Sequence, residues 1–240
     1  MMQEKRVRVL RAFCRSLDIE MQDFSLLDMA LTHTSYAHEA KDEPKPVHNE
    51  RIEFLGDSVL SLIVSTYMYK NFPQLAEGQL TKLRAHLVCE ASLYEYAKKL
   101  HLGDLLLLGR GEAMSGGRER PSILADSFES VLGAVYLNCG LEVAQRYLLE
   151  LMGKEIDYIC LHGICSDYKT RLQEYLQRDG DADISYRLVS SSGPEHSKVF
   201  ISEVMLEGKV IGTGEGRTKK DAEQHAAKDA IRKLHIPAKN

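Results

Sequence analysis

Apolar positions recur at helical spacing through the first two thirds of the chain and alternate at strand spacing only near its end. Residues 4–40 read as short helical pieces, including one at 24–31. The polar run Thr32-His33-Thr34-Ser35-Tyr36 that follows caps or turns. A loop at 41–48 carries Pro44 and Pro46. Residues 49–60 then open a long helix, with Asn49 as its N-cap, which continues through the apolar run 61–68 and ends near Asn71, before Pro73. Ile52, Phe54, Leu55, Val59 and Leu60 imply that this helix is largely buried. Leu80, Leu83, Leu87 and Val88 mark a further helix, and residues 90–101 another. Residues 105–108 lead into a glycine- and arginine-rich stretch at 109–121, which reads as a mobile loop of the kind that closes over a ligand. Residues 122–137 are almost wholly apolar or small apart from Asp126 and Glu129, as in a helix packed on several sides, and residues 141–159 give one more helix.

The pattern changes after Cys160. Residues 161–166 read as a linker, and 167–178 as a helix with Asp167 at its start and Gly180 past its end. Strands are expected at 184–191, at 198–206 and, after the Glu207-Gly208-Lys209 turn, through Gly212, with a further turn at Gly193-Pro194. A final helix spans about 219–234, with Ala222, Ala226, Ala227, Ala230, Ile231 and Leu234 as one packing stripe. The expected architecture is an all-α domain over 1–160, a linker at 161–166 and a small α+β domain of order α-β-β-β-α over 167–237.

Composition narrows the class. The 240 residues have the apolar and charged fractions of an ordinary soluble protein. The charged N-terminal segment does not read as a signal peptide, and no apolar run approaches a membrane span. Five scattered cysteines without a C-x-x-C pair read as reduced thiols in the cytoplasm. Cys160, His162 and Cys165 do not have a usual zinc spacing. The net charge of −4 hides an asymmetry. Residues 167–240 carry 13 Lys and Arg against 12 Asp and Glu, which leaves 18 against 23 for residues 1–166.

The candidate chemistry lies in the acids. Glu50, Glu53 and Asp57 are three and four residues apart, so they share one face of the long helix. Stacked carboxylates among apolar residues are costly without a positive partner, and a divalent cation is the simplest one. The competing reading is a solvated acidic edge. Asp126 and Glu129 form a second pair on the helix at 122–137. If the two helices pack together, four carboxylates converge, a donor set suited to Mg²⁺ or Mn²⁺. Sites of that kind support in-line displacement at phosphorus, which points to phosphodiester hydrolysis.

Residues 49–60, N-E-R-I-E-F-L-G-D-S-V-L, closely resemble the ribonuclease III signature N-E-R-L-E-F-L-G-D-S-V-L, with Ile52 in place of leucine. The resemblance extends to Leu31-Thr32-His33, to Glu77-Gly78 with residues 80–85, and to Ile123-Leu124-Ala125-Asp126 with Glu129 and Gly133-Ala134. Ser130 departs from a frequent alanine. The resemblance implies a homodimeric, metal-dependent endonuclease that cuts both strands of an RNA duplex. The expected products have two-nucleotide 3′ overhangs with 5′-phosphate and 3′-hydroxyl ends, and a role in ribosomal-precursor and other RNA processing is implied. It also implies Glu53, Asp126 and Glu129 as metal ligands, Asp57 and Glu129 as catalytic, Glu50 and Glu77 as acids lining the cleft, and Mg²⁺ as cofactor with Mn²⁺ able to substitute. Gly56 either admits a neighbouring backbone or serves local packing.

The C-terminal module resembles a double-stranded-RNA-binding domain through Asp167-Tyr168-Lys169-Thr170 with Leu172-Gln173-Glu174, Gly193-Pro194-x-His196, and Lys219-Lys220-x-Ala222-Glu223-Gln224. The implied RNA contacts are Thr170, Gln173, His196, Lys219 and Lys220. Such contacts read A-form shape and 2′-hydroxyls more than sequence. Thr218 and Asp221 make a capping-box-like pattern, which leaves Lys219 and Lys220 at a helix N-terminus, where a phosphate would relieve their conflict with the helix dipole. The alternatives are a catalytically inactive duplex-binding protein and a small-molecule metal phosphohydrolase.

Overall fold

The computed structural model describes residues 4–41, 44–162, 168–178, 182–192, 198–216 and 218–236. The chain divides into two compact units, Met1–Leu161 and His162–Asn240.

The first unit is helical: α1 Glu4–Ser16, α2 Ser25–Ala30, α3 Thr34–Glu39, α4 Glu50–Asn71, α5 Glu77–Leu87, α6 Glu90–Lys99, α7 Leu102–Leu105, α8 Arg110–Met114, a 3-10 turn at Gly117–Glu119, and α9 Pro121–His162. Gly140 breaks α9 into two arms, because its φ of 83° lies in the left-handed region that glycine tolerates. One parallel bridge, Thr32 to Leu107, ties the segment before α3 to the segment before α8. The core gathers Leu10, Leu27, Leu60, Val64, Leu93, Phe128, Leu132 and Leu148, all fully or almost fully buried.

Three expectations change in this unit. Asn49 stands at the start of α4, but its side chain makes no capping hydrogen bond. Its buried backbone carbonyl accepts from Ile52 and Glu53 instead. Helix α4 is not buried all round: Ile52, Gly56, Val59, Leu60, Ile63 and Val64 face inward, while Phe54 is 76% exposed and Tyr69 75%. The stretch at 109–121 is not an open loop. The Glu39 carboxylate accepts from the backbone N–H groups of Arg110 (2.7 Å) and Gly111 (3.3 Å) and so caps α8. Arg118 donates to the Gly103 and Leu106 carbonyls, and Arg120 pairs with Glu112 at 2.6 Å. Arg118 and Arg120 thus serve the fold, and composition alone does not tie Arg118 to carbonyls 15 and 12 residues upstream.

The second unit runs α10 Tyr168–Leu176, β1 Ile184–Ser192, β2 Val199–Leu206, β3 Lys209–Gly216 and α11 Lys219–Lys233, with the strands antiparallel in the order β1-β2-β3. The Glu207-Gly208 turn has positive φ at both residues, the geometry of a tight hairpin. Strand β3 runs four residues past Gly212. A Cβ at Gly212, Gly214 or Gly216 would come within 2.1–2.4 Å of the α11 backbone, so these alternating glycines lay one face of β3 directly on the alanine side of α11. Leu172, Val204, Ala226, Ala227, Ala230, Ile231 and Ile236 form the core, whereas Leu234, expected in the stripe, is 39% exposed. Residues 163–166 of the expected linker, and Asp167, Gly180, Gly193, Pro194 and His196, lie outside the described residues.

Candidate active site

Two glycines bring the acidic faces of α4 and α9 together. A Cβ on Gly56 would stand 1.9 Å from the Glu129 carbonyl oxygen, and one on Gly133 would stand 2.6 Å from that of Ile52. Both helices therefore lack a side chain where they meet, and their backbones touch. The contact sets Glu53 and Asp57, on α4, beside Asp126 and Glu129, on α9. Glu53, Asp126 and Glu129 each offer a carboxylate oxygen, and the three oxygens lie within 4.8 Å of one another. Ser130, next to this contact, is wholly buried, and its Oγ has no hydrogen-bond partner among the described residues.

The electrostatics are those of a site that lacks positive charge. Burial, then Asp126, Glu50 and Asp57, push Glu53 up to about 7. Burial, then Asp57, Glu53 and Asp126, push Glu129 up to about 8. Asp126 is raised by burial and by Glu90, while His33 acts in the opposite direction. Half-buried carboxylates this close cannot all ionise without a cation between them. Three hard oxygen donors in reach of one point fit a small divalent cation that keeps water in its remaining positions.

The other expected acids lie further out. Asp57 is exposed and outside the three-oxygen set, yet its charge acts on both Glu53 and Glu129. Glu50 is exposed, 3.8 Å from His48 Nδ1, and acts on Glu53. Glu77 stands in the first turn of α5, where its carboxylate accepts from the Thr81 hydroxyl at 2.9 Å, and it is not among the charges acting on the three central acids. The sequence reading missed Glu90, an acid at the start of α6, because nothing in its local pattern ties it to Asp126. His33 was expected in a capping stretch and within the family resemblance, with no role at the acids, although the imidazole feels both Asp126 and Glu50.

In the second unit, Thr170 and Gln173 are exposed one turn apart on α10, with Gln173 donating to Gln177. The Thr218 hydroxyl accepts from the Asp221 N–H and donates to the Asp221 carboxylate, so the cap forms but Asp221 does not return to the Thr218 backbone. Lys219 and Lys220 are exposed in the first turn of α11 and make no ion pair among the described residues. Lys169 is used differently. Its ammonium lies 2.6 Å from the Glu223 carboxylate and 4.0 Å from the centre of the Tyr186 ring, and its backbone N–H donates to Gln224, so it clamps α10 to α11.

Comparison with known proteins agrees with both halves. Residues 23–156 match the family described as Ribonuclease-III-like, and residues 168–234 match the double-stranded RNA binding motif. The chain is 50% identical over 222 residues to "Ribonuclease 3" of Caldanaerobacter subterraneus subsp. tengcongensis, covering 92% of this chain and 96% of that protein. It is 51% identical over 210 residues to "Ribonuclease 3" of Desulforamulus reducens, covering 88% and 85%. Among solved structures, the nuclease domain of ribonuclease III from Campylobacter jejuni, described with a region involved in dimer formation, aligns with a TM-score of 0.55 at 43% identity, covering 60% of this chain and 96% of that one.

Proposed function

The chain belongs to the ribonuclease III family and is an endoribonuclease acting on double-stranded RNA, and on that premise we propose that it hydrolyses duplex strands at a Mg²⁺ site, open also to Mn²⁺, held by Glu53, Asp126 and Glu129. The observation that carries this reading is the convergence of three half-buried carboxylates from two helices on one point. A bound divalent cation supplies Lewis-acid stabilisation of charge at the scissile phosphate. Glu129 and Glu53 face each other across the contact between α9 and α4, and Asp57 orders the water that attacks phosphorus. The products carry 5′-phosphate and 3′-hydroxyl ends. Glu50 and Glu77 line the cleft in supporting roles. Residues 1–160 form the catalytic domain, 161–166 the linker and 167–237 the RNA-binding domain. The enzyme works in the cytoplasm on ribosomal-RNA precursors and other transcripts. In keeping with that, no helix among the described residues is long and apolar enough to cross a membrane.

Protons and cation compete for the same oxygens, which gives a test by pH. In metal-free protein Glu53 and Glu129 stay protonated up to about 7 and about 8. In the unfolded chain they ionise at about 4.3. The folded state therefore binds more protons between those limits, and its stability falls as the pH rises through about 7 and 8. The Tm in chelator should drop between pH 5 and pH 8.5, and millimolar Mg²⁺ should restore it most at the alkaline end. A flat Tm that ignores Mg²⁺ would remove the metal site from the account.

The second half of the reading is a homodimer. Phe54, Leu62 and Tyr69 are exposed on α4 within an arc of about 80° of its circumference. An apolar stripe of that length on a monomer marks an association surface. A symmetric pair of centres, one per subunit, accounts for offset cuts that leave two-nucleotide 3′ overhangs. Phe54→Glu should convert the dimer to monomer in light scattering, and an unchanged mass would contradict the assignment of this face.

For RNA, Thr170 and Gln173 on α10, His196, and Lys219 and Lys220 on α11 are the proposed contacts with the duplex. Two lysines on phosphates contribute a salt-dependent, sequence-independent share of affinity. Lys219→Ala with Lys220→Ala should weaken duplex binding and lower the slope of log affinity against log salt by about two. An unchanged slope would take the lysines off the phosphates.

A further inference from the structure

His33 sits where three segments of the catalytic unit cross. Its backbone N–H donates to the Leu107 carbonyl (3.0 Å), and the Thr32 carbonyl beside it accepts from the Asn49 N–H at the head of α4 (2.9 Å). Its side chain is held at one nitrogen only. Nδ1 accepts from the Ser35 N–H at 3.2 Å and stands 2.8 Å from Ser35 Oγ, which in turn accepts from the Gly109 N–H at 2.9 Å. A nitrogen that accepts a backbone N–H carries the lone pair, so the proton of the neutral ring is on Nε2. Nε2 has no hydrogen-bond partner among the described residues.

The surroundings explain why a neutral donor is useful here. Burial holds the half-buried ring below the ordinary histidine range, while Glu112, Asp126 and Glu50 act against that and Arg120 with it. The nearby arginine is not available for substrate, because Glu112 takes it at 2.6 Å. A cation at this position would pair with the acids of the centre and compete with a metal for them. An unpaired acid would repel phosphate. A fixed, uncharged N–H does neither.

We propose that His33 is a substrate-contacting residue of the endonuclease, its Nε2–H donating to a non-bridging phosphate oxygen of the RNA strand that enters the carboxylate centre. The proposal rests on the reading of Glu53, Asp126 and Glu129 as the cleavage centre. The Ser35–Gly109 hydrogen bonds give the ring its fixed orientation, so the donor needs no reorganisation when RNA arrives.

Three substitutions separate contact from capping. Asn and Ser both place an oxygen near the Nδ1 position and are good N-caps, but neither carries the distal N–H. Gln carries a distal N–H and loses the cap. Single-turnover cleavage of a duplex at saturating protein and Mg²⁺ should slow by about ten- to a hundredfold in His33→Asn and in His33→Ser, the loss of one hydrogen bond to a charged group. Their Tm should stay within about 2 °C of wild type. His33→Gln should cut faster than either despite a lower Tm. Wild-type rates in the Asn or Ser variant, or a loss of rate that follows Tm across the series, would overturn the contact and leave His33 a cap. A Glu129→Gln control that still cuts would overturn the centre itself, and the proposal with it.

Discussion

Replacing Glu129 with glutamine is expected to slow duplex cleavage by on the order of a thousandfold or more while leaving duplex binding within a few-fold of wild type. The loss corresponds to several kcal/mol of transition-state stabilisation, the scale of a missing metal ligand. Glutamine keeps the shape of the side chain and removes only its charge and one ligating oxygen. Glu129 is also the acid raised furthest in the centre, by burial first and by Asp57, Glu53 and Asp126 after it. Without metal, its ionised form opposes folding at alkaline pH. The metal-free variant at pH 8.5 should therefore melt no lower than wild type and should respond less to Mg²⁺. A variant that cuts near the wild-type rate would show that Glu129 is not a ligand. One that melts far lower would show that the residue is structural.

Gly56→Ala is expected to damage the same centre without touching an acid. Two effects of opposite sign compete there. Alanine is worth about 1 kcal/mol more than glycine inside a helix. Against that, its Cβ would stand 1.9 Å from the Glu129 carbonyl oxygen, a backbone atom that cannot rotate away. Overpacking of this kind costs about 3 kcal/mol or more, so the clash wins. Net of the helix gain the loss is about 2 kcal/mol, so the expected Tm loss is about 4–8 °C, and α4 and α9 must move apart to relieve the clash. That movement widens the three-oxygen set, so Mg²⁺ binding and cleavage should fall together. Gly153 is the internal control, since a Cβ there meets nothing within 4 Å, and Gly153→Ala should stabilise by up to about 1 kcal/mol. If Gly56→Ala behaves like Gly153→Ala, the backbone contact does not hold the centre together.

These two residues also show what could be read in the sequence. The signature at 49–60 placed Glu53 and Asp57 on one helix face, and the apolar pattern at 122–137 placed Asp126 and Glu129 on another. The order α-β-β-β-α followed from helix-end residues, turn residues and runs of β-formers together with the apolar stripe of the last helix. Local pattern could not choose between packing and close approach for Gly56, because the partner backbone lies some 70 residues away. The same distance problem hid Glu39 as the cap of α8, Glu90 as a neighbour of Asp126, and the role of alternating glycines in extending β3. Burial of Phe54 was expected from its apolar neighbours. Which side of a two-sided apolar helix faces the core is set by tertiary contacts, and here the Gly56 side faces α9 and leaves Phe54 outside.

The central claim is that Glu53, Asp126 and Glu129 would hold a divalent cation, whose Lewis acidity would support cleavage of duplex RNA, one strand per subunit. Digestion of a long RNA duplex by the full chain, with Mg²⁺ and with chelator, and with both product ends mapped, tests it directly. The account predicts no cutting in chelator. With Mg²⁺ it predicts 5′-phosphate and 3′-hydroxyl ends offset by two nucleotides. Cutting that persists in chelator, or ends bearing 3′-phosphate, would contradict it.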